Sequence, residues 1–131
     1  MHLGVCGTSG RVLRFLLSAG QRADCVFGPL LAQGLRPRAL VADRAYDTQA
    51  MAGAAGACDA VLVVPSRRNR KHPRSLYKPV YRRRNIVERV IGRLKDHRRL
   101  ATRYDKTDRN FKAFLCIAAA SFNLNPTVNT A

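Results

Sequence analysis

"RALVADRAYDTQAMAGAAGACDAVLVVP", residues 38–65, decides the fold. It opens with a four-residue apolar run, residues 39–42, that ends at Asp43. It closes with a second apolar run, residues 60–64, stopped by Pro65. Continuous apolar runs this short read as strands buried on both faces of a sheet. Between them, Asp47 or Thr48 can cap a helix over "TQAMAGAAGACD". Strand, helix, strand in that order predicts an α/β architecture whose later strands are parallel.

Upstream, "HLGVCGTSGRVLRFLLSAG" reads as a hairpin, because two Val-, Leu- and Phe-rich runs flank the turn signal Gly7-Thr8-Ser9-Gly10. "DCVFGPLLAQGL" predicts a short helix from about Asp24, with Pro29 as an alternative starting point. Downstream, residues 66–79 form a basic loop containing Pro73 and Pro79. A long helix is expected over residues 80–101 and a last one over residues 110–123. In the last helix Phe111, Phe114, Leu115, Ala118 and Phe122 recur at helical spacing. The final residues, "NPTVNTA", are polar and are expected to fray.

Charge divides the chain. Residues 1–64 carry six Lys and Arg against four acids, net +2, whereas residues 65–131 carry eighteen against four, net +14. The second half is therefore suited to a polyanion, and nucleic acid fits better than a membrane surface. No basic helix has the broad Trp/Phe/Leu face of an interfacial helix. The longest apolar stretch, residues 111–122, is interrupted by Lys112 and is too short to span a bilayer. The chain opens without a signal-peptide pattern, so a cytoplasmic, nucleoid-associated location is expected. Cys6, Cys25, Cys58 and Cys116 are scattered, with no metal-ligand spacing, and read as buried free thiols.

"YRRRNIVERVIGRLK", residues 81–95, contains Glu88, the one glutamate of the chain. On a helix turning about 100° per residue, Tyr81, Arg84, Glu88 and Lys95 project within about 60° of one another. Val87, Val90, Ile91 and Leu94 form an adjoining apolar stripe that would dock the helix on the sheet, leaving Glu88 at the edge of the buried face. Glu88 is thereby either a simple i,i+4 partner of Arg84 or a metal-binding carboxylate among phosphate-holding cations. Asp43 is either a turn aspartate or a ligand at the carboxyl edge of the sheet, where α/β proteins place their sites. Together the two acids suit Mg²⁺, which takes oxygen ligands from one or two carboxylates and substrate phosphate.

"VADRAYD" resembles the block around the second catalytic aspartate of bacterial insertion-sequence DDE transposases. "YRRRNIVERVIGRLKDHRRLATRYDK" resembles the block around their catalytic glutamate, and Tyr81-x2-Arg84-x3-Glu88-x6-Lys95 matches the family's Tyr-Arg-Glu-Lys signature at every spacing. "VPSRRNRKHPR" and "LRFLLSAGQRAD" are also similar, so the resemblance runs to about Ala120. It implies an incomplete RNase H-like fold over residues 1–123, followed by a polar tail at residues 124–131. It implies Asp43 and Glu88 as catalytic metal ligands for Mg²⁺ or Mn²⁺. It further implies that Tyr81, Arg84 and Lys95 touch transposon-end phosphates; the basic run at residues 66–74 itself offers Arg67, Arg68, Arg70 and Lys71 as further DNA contacts. The implied reaction is metal-dependent strand cleavage followed by transfer to target DNA.

Ala45 stands where the family usually has glycine, and Cys6 lies where relatives often carry an acidic or polar residue. The family's first catalytic aspartate belongs to a strand upstream of "HLGVCG", so this chain is expected to be a carboxy-terminal portion, inactive in strand transfer alone. The expected partners are DNA, an upstream-frame polypeptide carrying the first aspartate, and further copies of the chain. Without its expected common neighbour strand, the hairpin should stand apart from the parallel pair or contact the residue 39–42 strand directly. The alternatives on the same residues are a non-catalytic basic nucleic-acid-binding protein and a transposase-derived inhibitor.

Overall fold

A computed structural model describes residues 1–18, 24–96 and 108–124. The chain divides into two compact units, one made of Met1, Leu3–Leu17 and the chain from Asn85 onward, the other of His2 and Ser18–Arg84. Strands and helices alternate as an α/β protein's do.

The first unit begins with the expected hairpin, β1 (His2–Val5), all but its first residue, and β2 (Val12–Leu16). The turn is closed by Cys6 N–H donating to the Arg11 carbonyl at 2.9 Å and Gly10 N–H donating to the Cys6 carbonyl at 2.8 Å. Gly10 takes φ +71°, the left-handed backbone that favours glycine.

Among the described residues two helices complete this unit. One spans Asn85–Lys95 and the other, the last described, Asp108–Leu124. Ile86, Val90 and Leu94, four residues apart, are buried against Phe111, Leu115, Ala118 and Ala119 of the last helix and Val12 of β2. Leu94 and Leu115 are fully buried; a side chain of that size contributes roughly 1.5–3 kcal/mol by leaving water. The Asn123 amide bonds the backbone of Val12 from both ends. Val12 N–H donates to Oδ1 at 2.8 Å, and Nδ2 donates to the Val12 carbonyl at 2.9 Å. The last helix thus supplies β2 with the hydrogen bonds a neighbouring strand would give.

The second unit holds α1 (Gly28–Ala32), β3 (Ala39–Val41), α2 (Gln49–Ala57) and β4 (Val61–Val63). A single 3₁₀ turn, Asp24–Val26, precedes α1, and Pro29 lies in the first turn of α1. The helix itself thus begins at the Pro29 alternative, and the Asp24 start is only a 3₁₀ turn. β3 and β4 are parallel, with Ala39 opposite Val61 and Val41 opposite Val63. Val61 N–H reaches the Arg38 carbonyl at 3.0 Å, and Ala42 N–H reaches the Val63 carbonyl at 3.2 Å. β4 is not buried on both faces as its composition suggests: Val63 is buried while Val61 is 66% exposed.

Thr48, not Asp47, caps α2, accepting from Met51 N–H at 3.1 Å. At the other end Asp59 takes φ 54°, while Ala60 N–H bonds the Ala55 carbonyl at 2.8 Å and Asp59 N–H bonds Gly56 at 3.1 Å. That is a Schellman ending with aspartate in the place glycine usually holds. Gly28 is required by close packing, since a Cβ there would lie 2.7 Å from the Tyr46 ring and 2.9 Å from Met51 Sδ.

The hairpin and the parallel pair are separate two-stranded sheets, with no pairing between them among the described residues. The direct pairing of the hairpin with the residue 39–42 strand is therefore not formed among the described residues. The long helix differs from expectation. It starts earlier, as α3 (Lys78–Tyr81), passes through a 3₁₀ turn at Arg82–Arg84, and resumes as α4 (Asn85–Lys95). Its expected end at residues 97–101, and the tail from residue 125, lie outside the described residues. The last helix, α5, is Asp108–Leu124. The cysteines are free, as expected, but not buried: Cys6, Cys25 and Cys58 are half-buried and Cys116 is exposed. Among the described residues no helix is long and apolar enough to cross a membrane.

Candidate functional site

Asp43 lies two residues past the end of β3, at the carboxyl end of the parallel pair. Its backbone is extended, at φ −80° and ψ 177°, and it caps the 3₁₀ turn Arg44–Tyr46. Asp43 Oδ1 accepts from Ala45 N–H at 2.9 Å. The side chain is exposed and its other oxygen takes no hydrogen bond from a described residue. Ala45, at the family's usual glycine position, sits in this right-handed turn without a positive φ, so a methyl group is tolerated there. The turn role read from the sequence is thus real, and it holds one carboxylate oxygen while leaving the other outward.

Glu88 lies in the first turn of α4 and is exposed. It does not sit at the edge of the buried face. The buried stripe is Ile86, Val90 and Leu94, with Val87 and Ile91 only half-buried. At about 100° per residue, Glu88 projects some 160° from the centre of that stripe, toward solvent. Lys95, seven residues on, shares its face and is exposed. Within its unit α4 packs on α5 and the hairpin.

Tyr81 and Arg84 belong to the other unit. The intervening 3₁₀ turn advances about 120° per residue, so the uniform projection of all four signature residues does not hold across it. Residues three apart eclipse in a 3₁₀ turn. This stacks the Arg84 guanidinium over the Tyr81 ring, 5.7 Å from its centroid.

The basic loop is organised by an acid that the sequence presents only as a possible helix cap. The Asp47 side chain has no solvent exposure. Its Oδ1 accepts from Arg70 Nη1 at 2.8 Å and from Arg74 Nε at 3.0 Å, and its Oδ2 accepts from the Arg67 backbone N–H at 2.8 Å. Arg67 Nη2 donates in turn to the Ala45 carbonyl at 3.0 Å. Burial pushes the Asp47 carboxyl up, but the Arg67 amide and the Arg74 and Arg70 guanidiniums outweigh it and hold the group below the usual carboxylate range. Removing one partner of such a buried set typically costs about 3–5 kcal/mol. Of the cations expected to meet DNA, Arg67 and Arg70 therefore also serve the loop, whereas Arg68 and Lys71 are exposed. An open groove of about 410 Å³ lies beside them, lined by Asp47, Thr48, Gln49, Arg67, Asn69 and Arg70.

The family model for the transposase DDE domain matches residues 1–124. This chain belongs to the DDE transposase family. No curated protein matches it, and no solved structure does. In this transposase chain the match takes in β3 with Asp43, the arginine loop, and α4 with Glu88 and Lys95. Among its described residues no three His, Cys, Asp or Glu side chains gather as a metal-binding group. The two carboxylates nevertheless have the right donor chemistry for a hard divalent cation, because both are exposed oxygen ligands.

Proposed function

We propose that this transposase chain serves metal-dependent cleavage and transfer of DNA strands at insertion-sequence ends, on an RNase H-like scaffold. Asp43 and Glu88 are two of the acids that hold Mg²⁺ or Mn²⁺. Tyr81, Arg84, Lys95, Arg67, Arg68, Arg70 and Lys71 contact the DNA backbone. The observation that carries the reading is the position of Asp43. Within a chain of this family, it leaves one carboxylate oxygen outward at the carboxyl end of a parallel strand. Asp43 and Glu88 would hold the ion, which would supply charge neutralisation at the scissile phosphate and activation of the attacking oxygen. The chain's own cations hold the phosphates against it; Lys95, on the exposed face that carries Glu88, is placed to do so. The Arg84–Tyr81 stack holds a guanidinium and a phenol together as one phosphate-facing surface.

The test is the metal dependence of DNA affinity. Labelled duplex from the DNA flanking the coding sequence is titrated with the chain, with and without Mn²⁺. Mn²⁺ should raise the affinity of the wild type, since the ion is shared between carboxylate and phosphate. Glu88→Gln and Asp43→Asn should lose that increment and keep the metal-free affinity, because the amide keeps the shape and removes the charge that holds the metal. Equal affinity with and without Mn²⁺ in the wild type, alongside salt-dependent binding, would favour a non-catalytic DNA-binding protein instead.

A further inference from the structure

The basic loop, residues 66–74, carries five Lys and Arg within nine residues. A segment that basic repels itself, and its natural state in water is solvated and mobile. Here it is held. Asp47 takes the Arg67 amide and the Arg70 and Arg74 guanidiniums, Arg70 N–H bonds the Arg67 carbonyl at 3.1 Å, and Arg74 N–H bonds Ser66 Oγ at 2.6 Å. The anchor is the end of the turn that Asp43 begins. Asp47 N–H bonds the Arg44 carbonyl at 3.2 Å, and Arg67 reaches the Ala45 carbonyl.

We propose that Asp47 is a positioning residue that latches the arginine loop to the Asp43 turn, so that Arg68 and Lys71 meet a DNA backbone already in place. The proposal rests on the DNA-binding reading above. An acid on a DNA-binding surface ordinarily weakens binding by repelling phosphate. Asp47 avoids this by being fully buried between two guanidiniums. What it contributes is order: a loop fixed before binding loses less conformational freedom when DNA arrives. It also ties the outward cations Arg68 and Lys71 to the element that carries a proposed metal ligand.

The sign of a charge-removing substitution separates latch from simple electrostatics. Asp47→Asn adds one positive charge, which alone would tighten DNA binding. The latch predicts the reverse, a loss of about tenfold with a log–log salt slope shallower by about one to two, as phosphate contacts from the loop are lost. Asp59→Asn makes the same charge change at an exposed site and should bind at least as tightly as the wild type. Limited trypsin digestion without DNA, read by mass spectrometry, should show residues 66–74 of Asp47→Asn cut about tenfold faster, through local opening. Asp59→Asn should match the wild type.

A measurement on the wild type guards against misfolding of the variant. Hydrogen exchange should find the Arg67 amide protected in the free chain, with little further protection on adding duplex DNA. An unprotected Arg67 amide in the free chain, or an unchanged trypsin rate in Asp47→Asn, overturns the latch. Faster loop cleavage with undiminished DNA affinity overturns the positioning role. A wild type that ignores DNA while the trypsin contrast persists sinks the DNA reading and leaves a purely structural clamp.

Discussion

Asp47 and Asp43 are four residues apart and chemically opposite in their surroundings. Asp43 is exposed and keeps one oxygen outward, whereas Asp47 has both oxygens occupied and no exposure. Sequence reasoning found the first and passed over the second, and the reason is physical. The role of Asp43 follows from an adjacent apolar run, a local signal. The partners of Asp47 lie 20, 23 and 27 residues downstream, so nothing near it in the sequence distinguishes it from a cap. Its titration supplies a test. A carboxyl held below its unfolded value contributes stability that is fully present above that value and is lost as pH falls through the lower, folded one. The Arg67 amide, which donates to Asp47, should therefore hold its NMR shift from neutral pH down past the ordinary aspartate value of 3.8 and move only below it. A midpoint at or above 3.8 would mean that the arginines do not favour the charged form.

At the scale of elements, short apolar runs were legible because they leave few choices. Residues 39–42 and 60–64 became β3 and β4 in parallel register, and the Phe- and Ala-rich spacing after residue 110 became α5. The break at Arg82–Arg84 was not legible. Arginine is a good helix former, and three in a row give no local cause to tighten a turn. The break alters only how Tyr81 and Arg84 project relative to α4; within α4 itself the buried stripe is Ile86, Val90 and Leu94, with Val87 only half-buried and Glu88 exposed. The clamp between α5 and β2 was hidden for the reason Asp47 was, since Asn123 and Val12 are 111 residues apart. Asn123→Ala removes both of its bonds and leaves the Val12 backbone without them. It should destabilise the chain by about 1–3 kcal/mol. Ser121→Ala, at an exposed position on the same helix, should stay within about 0.5 kcal/mol of wild type. Equal midpoints for the two variants in urea unfolding would show that the amide clamp contributes nothing.

For the whole molecule, dividing the charge by sequence halves is misleading. Divided by compact unit, thirteen Lys and Arg against four acids fall in the unit of His2 and Ser18–Arg84, net +9. Eleven against four fall in the other, net +7. Both units are thus basic enough to bind a polyanion, and the proposed contacts are shared between them: Arg68 in one, Lys95 in the other. With roughly five to eight phosphates neutralised, the log–log dependence of DNA affinity on salt should have a slope of about −4 to −7. Arg68→Ala and Lys95→Ala should each flatten it by about one, and the double variant by about two, because counterion release is counted per contact. The additivity is the informative part. If DNA engages only one unit, one of the two substitutions leaves the slope where it was, and the double variant equals the effective single. If the slope is near zero from the start, the cations are a solvated surface, and the phosphate roles given to Arg68 and Lys95 fall together.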